Sequence, residues 1–275
     1  MDKGTVAGVV VSFGGITAGL LMEGGRFGQI LQPTAALIVV SGTIGAVLVQ
    51  YPLSTVVKAV RELRSVLFEP RKYAADEIAR LTKLAQKARR AGIVSLDAEL
   101  PQISDPFMHR ALMLAVDGTD SSELRAIMQL EMDASAEAED ELPRVYESAG
   151  GFAPTIGIIG AVLGLIQVMQ HLDKIDEVGR GIAVAFVATI YGVGLANLIA
   201  LPIAGKLRHR LRFQQVIREL TLEGVVSILE GINPRMLEAK LKGFLQQSSE
   251  KPAKSALEKQ SRIATSGTAA TRNAQ

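Results

Sequence analysis

Apolar and polar positions fall into long, separate blocks along this chain. Four windows contain no Asp, Glu, Lys or Arg, and they cover residues 4–22, 27–57, 148–170 and 181–205. A helix needs about 20 apolar residues to cross the hydrocarbon core of a bilayer, and each window is close to that length or longer. The pattern predicts four transmembrane helices, which we number spans 1 to 4. It disfavours a water-soluble enzyme built around one large core.

These windows divide the chain into the five segments of an all-α polytopic membrane protein. Residues 1–57 are predicted to form one transmembrane hairpin, and residues 148–205 a second. A helical polar domain, residues 58–147, lies between the two hairpins. Residues 206–247 are predicted to extend span 4 as a helical segment. Residues 248–275 have few large apolar side chains, so we expect them to be disordered.

Helical periodicity continues in the polar domain. Residues 74–91 carry an apolar stripe at three- and four-residue spacing that includes Ile78, Leu81 and Leu84. Gly92 follows this stripe and can end the helix.

Two more helices are predicted from their start and stop signals. One begins at the sequence that starts with Asp120, which resembles a capping box, and ends near Tyr146. Beyond span 4 a helix continues to Leu229, and the sequence 231–234 breaks it. A short amphipathic helix follows at residues 236–245.

The distribution of basic residues predicts the orientation in the membrane. The two short connectors, between spans 1 and 2 and between spans 3 and 4, hold three Lys or Arg, whereas residues 58–147 hold 13 and residues 206–275 hold 13 more. Cytoplasmic segments carry an excess of Lys and Arg, so the polar domain and both termini are predicted to be cytoplasmic. Span 1 is interpreted as an uncleaved helix, because no A-x-A cleavage signal follows it.

Composition excludes several kinds of chemistry. Hydrophobic residues make up 48% of the chain. The net charge is only +2, so the chain lacks the strong excess of basic residues that is typical of nucleic-acid-binding proteins. The absence of Cys rules out disulfides, thiolate metal sites and cysteine nucleophiles. Three His in separate regions disfavour a His-based metal cluster. We therefore expect no metal, no cofactor, no catalytic residue and no nucleic-acid partner.

The four windows also lack His, so the predicted spans contain no Asp, Glu, Lys, Arg or His. Intramembrane carboxylates are the usual relay in machines driven by protons or sodium ions. Two interpretations remain: this chain is a passive scaffold, or a second protein supplies the carboxylate.

A few polar or helix-disturbing residues stand out in spans 3 and 4. Pro154 and Pro202 lie at similar depth near the predicted cytoplasmic side, where a proline loosens a helix. They are either a shared hinge or tolerated kinks. Thr189 could offer a hydroxyl oxygen to a cation, although such a residue more often bonds to its own helix backbone.

Small residues recur at the spacing that lets helices approach closely. Gly15 with Gly19 and Gly160 with Gly164 form G-x-x-x-G pairs, and Gly157 belongs to the same candidate packing set. The pairs serve either packing within the chain or contact with another copy or a partner helix.

Charged residues flank Gly92 in the polar domain. Arg89 and Arg90 precede it and Asp97 follows it. Such charges most often belong to a solvated surface. The more specific interpretation is that they form an electrostatic docking face for a partner protein.

Several stretches resemble the MotA family. They are the sequence from Ala153 to Ile166, the sequence from Ile182 to Gly192, the stretch 88–97 and the stretch 230–234. The pattern in spans 3 and 4 is shared with the wider MotA/TolQ/ExbB superfamily. Four spans and the Arg…Gly…Leu-Asp stretch favour MotA, because TolQ and ExbB members usually have three spans.

The resemblance implies a stator subunit of the bacterial flagellar motor in the inner membrane. In that family a pentamer of MotA-like chains surrounds two MotB-like chains, whose single transmembrane helix carries the Asp that binds the ion. By this resemblance, ion flow drives rotation of the pentamer around the two MotB-like chains in the membrane lipid, and the cytoplasmic domain then pushes the rotor protein FliG through charged residues. The alternative is a TolQ/ExbB-type proton-channel subunit that energises envelope processes or outer-membrane import.

Motif position carries the family's functional residues onto this chain. The functional Arg falls on Arg89 and its acidic counterpart on Asp97, where Glu is usual. The two family prolines fall on Pro154 and Pro202. Sodium-driven relatives tend to carry Thr where this chain has Ala161, and the loss of a hydroxyl ligand weakens sodium coordination. We therefore favour protons over sodium ions as the transported species.

Overall fold

The computed structural model describes residues 3–68, 74–172 and 174–246, and these are helical with no strand among them. The segment predicted to be disordered, residues 248–275, lies outside the described residues. In chain order the helices are α1 (Lys3–Met22), α2 (Phe27–Ile30), α3 (Pro33–Gln50), α4 (Leu53–Phe68), α5 (Ala74–Ala91), a 3-10 helix (Ile93–Gln102), α6 (Pro106–Val116), α7 (Ser121–Gln170), α8 (Ile175–Gly194), a π-helical turn (Leu195–Ala200), α9 (Leu201–Leu229) and α10 (234–246).

Among the described residues, four helical stretches are long and apolar enough to cross a membrane, as the uncharged windows predicted. They are α1, α3, the second half of α7, and the run formed by α8, the π-helical turn and α9. Pro33 begins α3, and Pro52 separates α3 from α4. The predicted connector between spans 1 and 2 contains the short helix α2, which the sequence did not indicate.

Helix α7 is longer than predicted. It was expected to end near Tyr146 but continues without a break to Gln170, over 50 residues. The composition changes from acidic to apolar near residue 148, but the helical backbone continues through this change. Pro143 and Pro154 are both accommodated inside it.

The described chain forms two compact units. Of the described residues, the span unit contains 3–68, 136–172 and 174–211, and the polar unit contains 74–135 and 212–246. These limits differ from the charge-based segment 58–147, because the residues at both ends of that segment pack with the spans. Ala59 in α4, Leu142 and Val145 in α7, and Leu207 in α9 share one buried cluster of the span unit.

The polar unit has its own apolar core, drawn from α5, the 3-10 helix, α6, α10 and parts of α7 and α9. Its fully buried side chains include Leu81, Leu96, Met108, Leu112, Leu124, Leu220 and Leu241. Arg125 and Lys240 both form ion pairs with Glu223, and the Arg125 pair measures 2.8 Å. Burial alone would raise the pKa of Glu223, but hydrogen bonds from Lys240 and Arg125 outweigh burial and hold the pKa below its usual value.

Local signals in the polar unit are confirmed. Ile78, Leu81 and Leu84 are buried on one face of α5, and Gly92, with φ +81°, follows its last residue. A positive φ is readily adopted by glycine and rarely by residues with a Cβ. Asp120 accepts a hydrogen bond from the backbone N–H of Ser122 at the start of α7.

The predicted break after span 4 is also confirmed. Helix α9 ends at Leu229, and Gly231 has φ +74°. The Asn233 side chain then accepts a hydrogen bond from the backbone N–H of Arg235 at 3.0 Å, which caps the start of α10.

Candidate functional site

Spans 3 and 4 are in backbone contact in the span unit. At one end of the contact, a Cβ added to Gly164 would lie 2.8 Å from the carbonyl oxygen of Gly181 and 2.9 Å from the backbone nitrogen of Ala185. Contacts this short leave no room for a side chain. The two helices therefore approach as closely as their backbones allow.

The same contact continues along both helices. A Cβ added to Gly157 would lie 2.9 Å from the carbonyl oxygen of Ala188, and one added to Gly160 would lie 2.8 Å from the Ala188 Cβ. A Cβ added to Gly192 would lie 2.5 Å from the carbonyl oxygen of Ala153. Gly157, Gly160 and Gly164 thus pack within the chain, and their partners on span 4 were not singled out from the sequence.

The glycines of span 1 differ from those of span 3. A Cβ added to Gly15 or Gly19 would meet no atom within 4 Å. None of the residues 4–22 in α1 is buried. The close-packing spacing in span 1 is therefore not used within the described chain.

The two prolines are not level with one another. Pro154 lies beside Gly192, since a Cβ on that glycine would lie 3.2 Å from the Pro154 Cα. Leu201, the residue before Pro202, instead contacts Gly150, one helical turn before Pro154. Pro202 lies ten residues after Gly192, which is about 15 Å further along span 4. The equal depth expected from the sequence is therefore wrong.

A π-helical turn precedes Pro202. Residues Leu195–Ala200 form it, and the backbone N–H of Leu201 donates to the carbonyl of Ala196, five residues earlier. Proline has no N–H to donate, and its ring crowds the carbonyl four residues before it. The wider turn relieves this crowding without ending the helix.

Thr189 and Ala161, the candidate ion-pathway residues, are both half-buried. The Thr189 hydroxyl donates to the carbonyl oxygen of Ala185 at 3.2 Å, within its own helix. This is the ordinary role that the sequence analysis left open for it. Ala161 follows Gly160 and offers no side-chain oxygen.

The Tyr191 side chain forms hydrogen bonds with the backbone between α2 and α3. Its hydroxyl donates to the carbonyl oxygen of Ile30 at 2.6 Å and accepts from the backbone N–H of Gln32 at 3.3 Å. Both backbone groups lack helical partners because the chain turns between the two helices. An unsatisfied backbone group in an apolar setting costs several kcal/mol, so a single side chain removes two such costs.

An ion pair links the residue just before span 3 to a residue just after span 4. Arg208 contacts both carboxylate oxygens of Glu147, at 2.6 Å and 2.9 Å. Next to it, the hydroxyls of Tyr51 and Ser148 are 3.0 Å apart. The two-pronged contact ties α7 to α9 at this point.

The predicted docking residues lie on the surface of the polar unit. Arg89 and Arg90 are exposed in the last turn of α5, and Asp97 is exposed in the 3-10 helix. Their neighbours Lys87 and Glu99 form an ion pair at 2.5 Å that joins α5 to the 3-10 helix. Arg89 and Arg90 also border a cleft, whose opposite wall is the start of α10.

Within the ranges 3–68, 74–172 and 174–246, no three or more His, Asp or Glu are arranged so that they could hold a metal ion.

Comparisons with known proteins agree with this arrangement. Residues 6–92 match the family described as motility protein A N-terminal, and residues 99–220 match the MotA/TolQ/ExbB proton channel family. Motility protein A of Bacillus subtilis (strain 168) is 36% identical over 247 residues, which is 89% of this chain and 91% of that protein.

Two solved structures share the fold. The C. jejuni MotAB structure superposes with a TM-score of 0.84 at 30% identity and covers 89% of this chain and 96% of that chain. The flagellar MotAB stator complex from Bacillus subtilis gives 0.81 at 35% identity and covers 94% and 99%. The model matched over residues 6–92 and the relative from Bacillus subtilis (strain 168) both carry the description motility protein A. The chain therefore belongs to the motility protein A branch of the MotA/TolQ/ExbB proton channel family.

Proposed function

We propose that this chain is a flagellar motor stator subunit. Several copies, a pentamer by family resemblance, surround a single-span MotB-like partner in the inner membrane and form an ion channel with it. Proton flow through the channel moves the subunits, and their polar units push the rotor protein FliG. The observation that carries the proposal is the lack of any Asp, Glu, Lys, Arg or His in windows 4–22, 27–57, 148–170 and 181–205, in a family whose solved relatives are MotAB complexes.

Exposed apolar faces on the spans support an assembly. Phe186 in α8 is 70% exposed, and Ile190 and Val193 continue the same face. Ile158, Ile159 and Val162 are also at least half exposed on α7. Other copies, the partner helix and membrane lipid are the surfaces that fit such faces.

The orientation follows from charge. The 13 Lys and Arg of residues 58–147 and the 13 of residues 206–275 favour a cytoplasmic polar unit with both termini on the same side. Arg89, Arg90 and Asp97 then face the cytoplasm, where the rotor lies. Pro154 and Pro202 loosen spans 3 and 4 between the channel and the polar unit, as a hinge requires.

Reconstitution tests whether ion flow requires the MotB-like partner as well as this chain. Expressed with its MotB-like partner in a strain without stator genes, the chain should restore swimming, and the chain alone should not. In liposomes, ion flux should appear only when both proteins are present, because this chain has no carboxylate in its spans. Flux through the chain alone would instead identify an autonomous channel.

Charge reversal at Arg89 tests the docking role. Arg89→Glu should weaken the rotor contact at least about tenfold and abolish most swimming, because an attractive charge contact becomes repulsive. Membrane insertion and partner assembly should be unchanged, since Arg89 is exposed and no described ion pair holds it. Swimming speed and co-purification with the partner are the measurements.

A matched control for Arg89 is available on the same helix. Arg80 is also exposed on α5 and lies nine residues earlier, about half a turn round the helix. Arg80→Glu should therefore leave swimming near the natural speed. Equal losses from both substitutions would indicate a general effect of charge, and normal swimming with Arg89→Glu would refute docking.

Ion replacement tests the transported species. Swimming speed should stay unchanged when potassium replaces sodium at constant pH, because a proton needs only the partner's carboxylate. Ala161 offers no ligand oxygen, and the Thr189 hydroxyl is bonded to its own helix. A protonophore should stop swimming in both media. Swimming that returns only when sodium is restored would assign sodium instead.

A further inference from the structure

Three arginines from distant parts of the sequence surround one cleft of the polar unit. The cleft has a volume of about 430 Å³ and is lined by Gln86, Arg89, Arg90, Asn233, Pro234 and Arg235. Its two walls are the last turn of α5 and the first turn of α10. No acidic side chain is among these lining residues, so the cleft is strongly positive.

These arginines differ from most other basic residues of the polar unit. Lys87, Arg110, Arg125 and Lys240 each form an ion pair with a glutamate. Within the described ranges, by contrast, Arg89, Arg90 and Arg235 have no carboxylate partner. Three guanidinium groups around one cleft repel one another unless an anion lies between them.

Folding of α10 does not require the Arg235 side chain. The residue lies in the first turn of α10, where the helix dipole disfavours positive charge. The cap of this helix uses the backbone N–H of Arg235, which donates to the Asn233 side chain at 3.0 Å. The positive charge of the Arg235 guanidinium is therefore unfavourable for α10 itself, and a structural role in this helix does not explain it.

We propose that this cleft binds paired carboxylates on the rotor partner, with Arg235 as a second docking residue opposite Arg89. The inference rests on the proposed function and extends the docking site from α5 to α10. Guanidinium groups bind carboxylates through two parallel hydrogen bonds, so three of them can hold two acidic side chains in a fixed orientation. All three arginines are exposed, and an open cleft admits side chains from a protein surface.

Charge reversal at Arg235 is the main test. Arg235→Glu should weaken rotor docking at least about tenfold and reduce swimming as strongly as Arg89→Glu does. The protein level and the partner complex should stay normal, because a negative charge suits the first turn of a helix. Arg235→Gln should have an intermediate effect, and Arg80→Glu should have little.

Site-directed capture gives a second readout. The chain has no Cys, so Gln86→Cys introduces the only thiol, inside the cleft and without replacing any of the arginines that are tested. A photoreactive label on this thiol should capture the rotor protein in the assembled motor. The same label on Arg80→Cys should not, and Arg235→Glu should reduce capture at Gln86→Cys.

The outcomes separate this inference from the proposed function. If Arg89→Glu stops swimming but Arg235→Glu does not, the extension to α10 is overturned and the proposed function stands. If neither substitution affects swimming, docking through α5 fails as well. If rotor capture survives Arg235→Glu while binding of inorganic phosphate to the full chain is lost, the cleft is a small-anion site and the proposal is overturned.

Discussion

Replacing Gly192 with alanine is expected to disrupt the span unit and to abolish swimming. The new Cβ would lie 2.5 Å from the carbonyl oxygen of Ala153 and 3.2 Å from the Pro154 Cα. Carbon and carbonyl oxygen normally stay at least about 3.3 Å apart, so spans 3 and 4 must separate by most of an ångström. Both contacts are backbone atoms that cannot rotate away. Overpacking of this kind costs about 1–3 kcal/mol.

Gly194 provides the matched control for Gly192. It lies two residues later in α8, and a Cβ added there would meet nothing within 4 Å. Gly194→Ala should keep the melting temperature of the detergent-solubilised complex and normal swimming, whereas Gly192→Ala should lower both. Normal stability and swimming with Gly192→Ala would show that the two helices are not in backbone contact in the working stator.

Replacing Pro154 with alanine is expected to stabilise the helix and still reduce torque. Alanine restores a backbone N–H that can donate to the carbonyl of Gly150, four residues earlier in α7. Proline in a helix interior is less favourable than alanine by about 3 kcal/mol, so the helix should gain part of that stability. A stiffer span 3 would transmit less movement if Pro154 acts as a hinge.

The opposite signs of stability and function make this test specific. The melting temperature of the complex should rise or stay constant, while torque and ion flux should fall. Pro143→Ala provides the control, because Pro143 lies in the same helix but outside the uncharged window 148–170. Pro154→Ala with normal torque would identify a tolerated kink, which the sequence analysis had left open.

The spans could be predicted from sequence because the bilayer imposes a length and excludes charge. The first window, residues 4–22, agrees with α1 to within one residue. Helix α8 begins at Ile175, six residues before its uncharged window, because a helix can extend past the apolar core into charged surroundings. The end predicted for the helix at Tyr146 failed for the same reason, since a change in polarity is not a break in the backbone.

The candidate site was predictable only where neighbours in sequence are neighbours in space. Arg89 and Arg90 could be found beside Gly92, because the signal is local. Arg235 could not, because its relation to Arg89 depends on how α10 packs in the polar unit. The close partners Gly157 and Gly192 show the same limit, since spacing within one helix cannot name the residues on the helix it meets.

The π-helical turn at Leu195–Ala200 has a consequence for evolutionary comparison. A π turn holds one residue more than the α-helical turn it replaces, so every later side chain is rotated by about 100° relative to an uninterrupted helix. Relatives that lack the turn would need a one-residue gap here to keep Arg208 opposite Glu147. A single inserted or deleted codon in this segment would therefore rotate the side chains of α9 by about 100° around the helix axis.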